Sequence, residues 1–231
     1  MYVATIIVFN NDTGALERYE RAASEPMPYN IGGTLTVGEF LKGESFGYTD
    51  SETMAAWNLI RSQFQKPIRV DMAFVRISSG SCTDDRQHFA GTAFMMGSNL
   101  STSDLDELYE LTRSSGAFSY VAPRERSSTG IHADRRYMPS NTFLTEGFPT
   151  LYRGSRNNYV LLAQDALNAL GYNAGSPDGI FGQRTESAVR AFENTRRLSE
   201  DGIIGTLVWE SLLNMNCPAS AQTALKSEAN V

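Results

Sequence analysis

The chain has 231 residues, of which 41% are hydrophobic and 20% charged, with only two cysteines and a formal net charge of −6. This composition is typical of a globular protein of one or two domains, and it excludes wholesale disorder, collagen and a disulfide-rich mini-protein. The acidic balance argues against nucleic acid as a partner, because a non-specific binder needs a basic excess. No apolar run approaches the roughly 18 residues of a membrane span, so we expect no membrane insertion.

The first half of the chain is predicted to mix strands and helices without βαβ regularity, which favours an α+β fold. The β-branched start predicts a strand over 2–10, and a secretory signal is not expected there because no basic residue precedes Arg18. The other predicted elements are a second strand or short helix over 16–23, a short strand or turn over 35–41, a helix over 53–65, strands over 68–77 and 88–96, a helix capped within 101–104, and strand-like segments over 118–121 and 130–135.

The second half is predicted to be helical, with helices over 158–170, 185–195 and 206–213. Its most informative feature is an internal repeat, because Asp-Gly-Ile-Phe-Gly at 178–182 recurs as Asp-Gly-Ile-Ile-Gly at 201–205. We interpret each copy as a tight loop with glycines at positive φ, a capping aspartate and an isoleucine in the core. Thr185 and Thr206 are predicted to cap the helices that follow.

This helical segment resembles the three-helix peptidoglycan-binding domain found on many bacterial wall hydrolases. The resemblance covers about residues 148–214, and Glu193 stands where that family usually has glutamine. It implies bacterial peptidoglycan as the partner, with Asp178, Gly179, Asp201, Gly202 and Trp209 as the binding residues. The other matching residues are Leu151, Gly154, Ser155, Val160, Ala163, Gln164, Leu167, Leu170, Gly171, Tyr172, Ala188, Val189, Phe192 and Leu212.

The only two histidines, His88 and His132, stand in distinctive contexts. A lone histidine is more often structural than a ligand, but His88 precedes Phe-Ala-Gly-Thr-Ala-Phe-Met and His132 begins His-Ala-Asp. These segments resemble the His-x-x-Gly-x-Ala-x-Asp strand and the closing His-x-Asp of the zinc D-Ala-D-Ala carboxypeptidase and L-Ala-D-Glu endopeptidase family, whose fold is hedgehog-like. Other residues in the order expected of that family over about 34–138 are Leu35 to Phe40, Trp57, Pro67, Arg76, Tyr120 and Pro123.

The resemblance implies that His88 and His132 are zinc ligands. A catalytic zinc takes three protein ligands and leaves a fourth position for water, whose pKa it lowers. The aspartate expected as third ligand is replaced by Met95, whose thioether is a poor ligand for hydrolytic zinc. The candidates to substitute for it are Asp84 and Asp85, with Cys82 as a weaker one. Because seven residues along an extended segment reach opposite faces, a bulge or turn at Gly91 is needed to bring positions 88 and 95 together.

Two further residues are candidates for the catalytic site. Asp134 follows His132 by two positions and therefore shares its face of a strand, so it is either the general base or a structural partner of Arg135 or Arg136. Arg76 resembles the family's substrate-binding arginine, and the alternative is a solvated charge at a strand end.

These observations predict an α+β peptidase-like domain followed by a small all-α peptidoglycan-binding domain. The predicted function is a monomeric zinc-dependent D,D- or L,D-carboxypeptidase or endopeptidase that acts on wall stem peptides, as in a phage endolysin. The alternative is an inactive wall-binding pseudoenzyme, because of Met95. Because no signal is expected, cytoplasmic synthesis with lysis-type or other release is left open, and the expected location is the cell wall or an extracellular target. The predicted units are an N-terminal strand unit over 1–33, the peptidase-like domain over 34–139, a linker over 140–149, the peptidoglycan-binding domain over 150–214 and a flexible tail over 215–231.

Overall fold

The computed structural model describes residues 2–83, 85–126, 129–138 and 147–216. Its first sheet has the strand order β2-β1-β3, in which β1 and β2 form an antiparallel hairpin and β3 runs parallel to β1. Helix α1 precedes β3, and α2 follows it directly. The elements of this part are β1 (Val3–Asn10), β2 (Ala15–Ala22), α1 (Val37–Leu41), β3 (Phe46–Asp50) and α2 (Ser51–Gln63).

A second sheet has the order β4-β5-β7-β6, and all of its neighbouring strands are antiparallel. Helix α2 covers it through Trp57, whose ring stacks on Phe94 with centroids 5.1 Å apart. The elements of this part are β4 (Val70–Met72), β5 (Ala93–Met96), α3 (Thr102–Ser114), β6 (Tyr120–Val121) and β7 (Ile131–Asp134). The α+β class predicted from the sequence is therefore confirmed, whereas the hedgehog-like catalytic fold stays a prediction.

The C-terminal part is helical as predicted, with α4 (Asn158–Ala169), α5 (Gln183–Arg196) and α6 (Thr206–Asn216). Helix α4 also packs against the first half of the chain. Its Asp165 is almost fully buried and accepts hydrogen bonds from Arg76 Nη2 at 3.0 Å and from Ser78 Oγ at 2.8 Å. Nearby, Asn158 Nδ2 donates to the Ala90 carbonyl at 2.9 Å. These contacts attach the helical module to the segment that carries His88.

Two of the helix starts follow from capping residues that the sequence shows. Asp50 accepts from the Thr53 amide at 2.7 Å, and Ser101 accepts from the Asp104 amide at 3.3 Å. Each carboxylate or hydroxyl satisfies an amide that has no partner within its own helix. Asn157 caps α4 in the same way, because it accepts from the Val160 amide at 3.0 Å.

Three predicted segments, two strands and the short strand or turn over 35–41, were wrong in type or length. Residues 35–41 contain a helix, because Thr36 and Glu39 form a reciprocal capping box ahead of α1. The strand predicted over 68–77 is limited to β4. The strand predicted over 88–96 begins at Ala93, because the Asp85 side chain caps a 3-10 turn over 86–90.

Gly91 makes the turn that the sequence argument required. Its φ is +68°, in the left-handed region that favours glycine. A Cβ at this position would lie 2.0 Å from the Tyr48 carbonyl oxygen on β3. The chain can therefore bend between His88 and β5 only because this residue has no side chain.

The repeat loops differ from the prediction in two details. Their buried residues are Phe181 and Ile204, whereas Ile203 is exposed. Thr185 lies inside α5, which begins after Gly182, and Thr206 is the first residue of α6, so neither threonine is an N-cap. The positive φ predicted for the loop glycines is found at the first glycine of each copy, Gly179 and Gly202, whereas Gly182 has a φ of −90°.

Several expectations fall outside or at the limit of the described residues. Most of the predicted linker and tail lies in 139–146 and 217–231, which are outside the described residues. Asp84 and Cys217 are outside them too. Cys82 is disulfide-bonded. Within the described ranges, no helix has the length and apolar character needed to cross a membrane.

Candidate metal centre

The structure brings the two histidines together. His88 lies in the 3-10 turn over 86–90, and His132 lies in the middle of β7. Both side chains are buried, and their rings meet edge to face with centroids 5.3 Å apart. Residues separated by 44 positions thus form one buried imidazole pair, as the resemblance implied for two ligands of one ion.

Each imidazole has one nitrogen oriented by a protein acceptor. His88 Nδ1 lies 3.0 Å from the Ala73 carbonyl oxygen, and His132 Nε2 lies 2.8 Å from Asp134 Oδ2. The other nitrogen of His132, Nδ1, is buried and finds no hydrogen-bond partner among the described residues. Metal-ligating histidines commonly donate one ring N–H to such an acceptor and bind the ion with the other nitrogen. These contacts are of the kind that histidine ligands make, and the binding of a divalent metal ion by the two side chains stays a prediction.

Asp134 is fully buried and has both oxygens engaged. Oδ1 accepts from Arg136 N at 2.9 Å and from Arg136 Nε at 2.8 Å, while Oδ2 contacts His132 and Arg136 Nη2. Arg136 itself lies over the Tyr120 ring, with its guanidinium carbon 3.7 Å from the ring centroid. This geometry matches the structural alternative for Asp134, in which it orients His132, more closely than it matches a base with an oxygen free for water.

Asp85 supplies a second carboxylate at the same imidazole. Its Oδ2 lies 2.6 Å from His132 Nε2, and its side chain is 30% exposed. Ligand atoms of Asp85, His132 and Asp134 all lie within 4.8 Å of one another. Asp85, one of the two aspartates considered as substitute ligands, thus lies beside His132, and Asp84 lies outside the described residues.

Met95 occupies the position directly opposite His132 in the pairing of β5 with β7. Opposed residues of an antiparallel pair project from the same face of the sheet, so Met95 shares the face of His132 and Asp134.

A metal bound to His132 Nδ1 would leave the Asp134 contact intact. A metal shared with Asp85 would instead have to replace the proton on Nε2. One ion cannot bind both at His132 Nδ1 and at Nε2 beside Asp85, because these two nitrogens lie on opposite edges of the ring.

Arg76 is engaged elsewhere. Its guanidinium binds Asp165 on α4 and lies over the Phe46 ring at 5.1 Å from the centroid. The described contacts of Arg76 therefore place it between the two halves of the chain, and none of them joins it to the histidine pair. Sequence reasoning missed Asp165 as its partner, because 89 positions separate the two residues and no local pattern links them.

The two imidazoles have pKa values shifted in opposite directions. Burial, together with the nearby charge of His132, lowers the pKa of His88 to about 4. Burial acts in the same direction on His132, but the hydrogen bonds to Asp134 and Asp85 outweigh it and raise its pKa to about 9. In the metal-free chain at neutral pH, His88 is neutral and His132 is a cation between two carboxylates.

We expect nuclear magnetic resonance of the imidazole protons to show two separate titrations in chelator-treated protein, near pH 4 and near pH 9. Because the folded pKa of His132 exceeds its unfolded value of 6.5, its contribution to stability is complete below that pH and is lost as pH rises through about 9. Asp134→Asn removes the charged partner, so the pKa of His132 should fall by at least about one unit. The exposed Asp12→Asn is the control and should change neither value. Titration of His132 near 6.5 in the unmutated chain would contradict the ion-pair geometry.

The residues predicted to bind peptidoglycan have different environments. Asp178 and Asp201 are exposed, and each caps its own loop by accepting from the amide two positions later at 2.9 Å. Gly179 is buried against Leu16 of β2. Trp209 is also buried, and its Nε1 donates to the Pro149 carbonyl at 2.8 Å. Trp209 thus supports the fold of the module, and the exposed loop residues are better placed to meet a ligand.

Comparisons with known proteins support the identity of this module. Residues 156–212 match the sequence profile described as "Putative peptidoglycan binding domain". The chain is 40% identical over 63 residues to the uncharacterized protein YbfG of Bacillus subtilis, covering 27% of this chain and 8% of that protein. It is 42% identical over 65 residues to the uncharacterized protein in the bpoA1 3′ region of Kitasatospora aureofaciens, covering 28% of this chain and 55% of that protein.

One similar solved structure is a peptidoglycan-binding protein from Clostridioides difficile in complex with glutamine hydroxamate. The two chains are 37% identical, the match covers 31% of this chain and 44% of that one, and the TM-score is 0.30. The chain thus spans only part of the proteins to which it is similar. The profile match over 156–212 supports a C-terminal peptidoglycan-binding module and hence association with the cell wall.

Proposed function

We propose that this protein binds the bacterial cell wall through its helical module and that its N-terminal half is a zinc-dependent peptidase of wall stem peptides. The substrate class is a D,D- or L,D-peptide bond at or near the end of the stem. The observation that carries this proposal is the buried pair His88 and His132, in which each ring is oriented by a protein acceptor.

In this proposal zinc, when bound, lowers the pKa of water and polarises the scissile carbonyl. The chain's own residues position the ligands and neutralise the buried charge of the site. His88 and His132 would hold the ion. With the ion at His132 Nδ1, Asp134 would orient the ring through Nε2, whereas with Asp85 as the third ligand the ion would lie at Nε2 instead. Arg136 neutralises the buried carboxylate of Asp134. The helical module raises the effective concentration of the site at the polymer. We propose that the protein acts at the wall as a monomer.

A second candidate function is wall binding without hydrolysis. Met95 favours it, because a thioether stands on the strand face where the resemblance implies a carboxylate ligand. The ion pairs that join Asp85, His132, Asp134 and Arg136 also support it, because they already pair the buried charges with one another.

The deciding experiment incubates the purified chain with zinc and intact sacculi, and it analyses released fragments by mass spectrometry and bound protein by sedimentation. The proposal predicts new peptide termini for the unmutated chain, loss of cleavage in His88→Gln, and equal sedimentation of both. Sedimentation without cleavage in either protein would establish the wall-binding alternative. Failure of both proteins to sediment would contradict both candidate functions.

A further inference from the structure

The second repeat loop borders a cavity of about 240 Å³ in the helical module. The cavity lies between the end of α5, the 201–205 loop and the start of α6. Its apolar walls include Leu198, Ile203, Leu207 and Val208, and its polar lining includes Glu193 and Asp201. No residue of the candidate metal centre takes part in it.

Glu193 is the unusual member of this lining. Its side chain is fully buried, and one oxygen, Oε2, accepts from the Gly202 amide at 2.9 Å. The other oxygen, Oε1, is buried without a hydrogen-bond partner among the described residues. Arg190, one turn earlier on α5, directs its donors to Glu186 and to the Glu200 carbonyl. Burial, together with the neighbouring carboxyl of Asp201, raises the pKa of Glu193, so this oxygen needs either a proton or a donor that reaches it.

The first repeat shows which group satisfies the equivalent acceptors. Gln164 Oε1 accepts from the Gly179 amide at 3.0 Å, just as Glu193 accepts from Gly202. The amide nitrogen of Gln164 then donates to Asp178 Oδ1 at 2.9 Å, to the Ile180 carbonyl at 3.1 Å and to Thr185 Oγ1 at 3.1 Å. One N–H₂ group therefore occupies the centre of the first loop.

The second loop repeats two of these three acceptors, because Val208 stands at the position of Thr185, and it lacks that donor. Asp201 Oδ1 accepts from the Ile203 amide as Asp178 does from Ile180, both at 2.9 Å. The Ile203 carbonyl faces the next glycine, Gly205, in the same way as in the first copy. Glu193 brings an additional acceptor where Gln164 has its N–H₂ group. The site is thus rich in acceptors, carries two carboxyl groups and opens into a cavity with apolar walls.

We propose that this cavity binds a primary alkylammonium group, with Glu193 Oε1 and Asp201 as its acceptors and the apolar walls around its alkyl arm. An ammonium offers three donors, which matches the acceptor cluster that one N–H₂ group satisfies in the first loop. In a wall polymer, this chemistry belongs to the free side-chain amine of a diamino acid in an uncrosslinked stem peptide. The inference rests on the wall-binding part of the proposed function and names the chemical group that the module recognises.

The first test titrates the full chain with Nα-acetyl-lysine N-methylamide and follows the amide signals of Gly202 and Ile203 by nuclear magnetic resonance. We expect saturable shifts, and no shifts with the same compound acetylated on its side-chain amine. Glu193→Gln should fold, because Gln164 already fills the equivalent place, and it should weaken binding by at least about tenfold. The exposed Glu210→Gln, with the same charge change on α6, is the matched control. Unchanged binding in Glu193→Gln, or no shift at Gly202, would overturn the proposal.

The second test compares sedimentation with native sacculi and with sacculi whose free amines have been acetylated. Weaker sedimentation with the acetylated polymer, in the unmutated chain but not in Glu193→Gln, supports the proposal. Equal sedimentation with both polymers would overturn the assignment of a wall amine and leave peptidoglycan binding intact. Absence of sedimentation with native sacculi would contradict the proposed function itself, and the amine titration would still decide what the cavity binds.

Discussion

Replacing Met95 with aspartate is expected to raise the affinity of the chain for zinc by more than about a hundredfold. Position 95 lies opposite His132 on the shared face of β5 and β7, beside the buried imidazole pair. Aspartate there would add a charged oxygen ligand to the two nitrogens, in a set that suits zinc better than one with a thioether. Even partners outside the ligand set change metal affinity by about 10–100-fold, so a missing ligand should matter more.

The measurement is zinc titration of metal-free protein with a competing chelator, together with elemental analysis. Met95→Asn is the matched control, because it has nearly the same size without the charge, and it should gain much less affinity. Stoichiometric zinc in the unmutated chain that is lost in Asp85→Asn would contradict this expectation. That result would identify Asp85 as the working third ligand.

Replacing Gly91 with alanine is expected to destabilise the fold by at least about 3 kcal/mol. The new Cβ would lie 2.0 Å from the Tyr48 carbonyl oxygen, which belongs to the backbone of β3 and cannot rotate away. The residue is also held at φ +68°, where a side chain is strained even with free space. Movement of this turn would displace His88, so metal binding should fall together with stability.

Gly80→Ala separates the strain at positive φ from the steric contact with β3 as causes of the lost stability. Gly80 has φ +77°, and no described atom would lie within 4 Å of its Cβ. This variant should therefore lose only the conformational part, about 1–2 kcal/mol. Urea unfolding of both variants at one pH measures the difference. Equal losses would show that the contact with β3 relaxes at little cost and that the turn is less constrained than the backbone distance implies.

The repeat of Asp-Gly-Ile loops shows which features of this protein local sequence can predict. It predicted the helical module, the two turns at positive φ and the order of the helices, because glycine, aspartate and helix caps act over a few residues. It did not predict that Ile203 is exposed while Ile204 is buried, since the direction of each loop side chain depends on how α4, α5 and α6 pack. The same packing brings Glu193 to the position in the second loop that Gln164 has in the first, where each accepts from a loop glycine amide.

The sequence by itself determined the α+β class, the C-terminal helical module and the choice of the two histidines, whose rings lie together. It also located the bend at Gly91, because positions 88 and 95 are seven residues apart and would lie on opposite faces of a straight strand. Only the tertiary structure decided which groups surround the histidines. Asp134 is held by Arg136, Asp85 reaches His132, and Arg76 binds Asp165 instead. Such pairings join residues distant in the chain, and their energies depend on burial and on distances of a few ångströms, which no local pattern specifies.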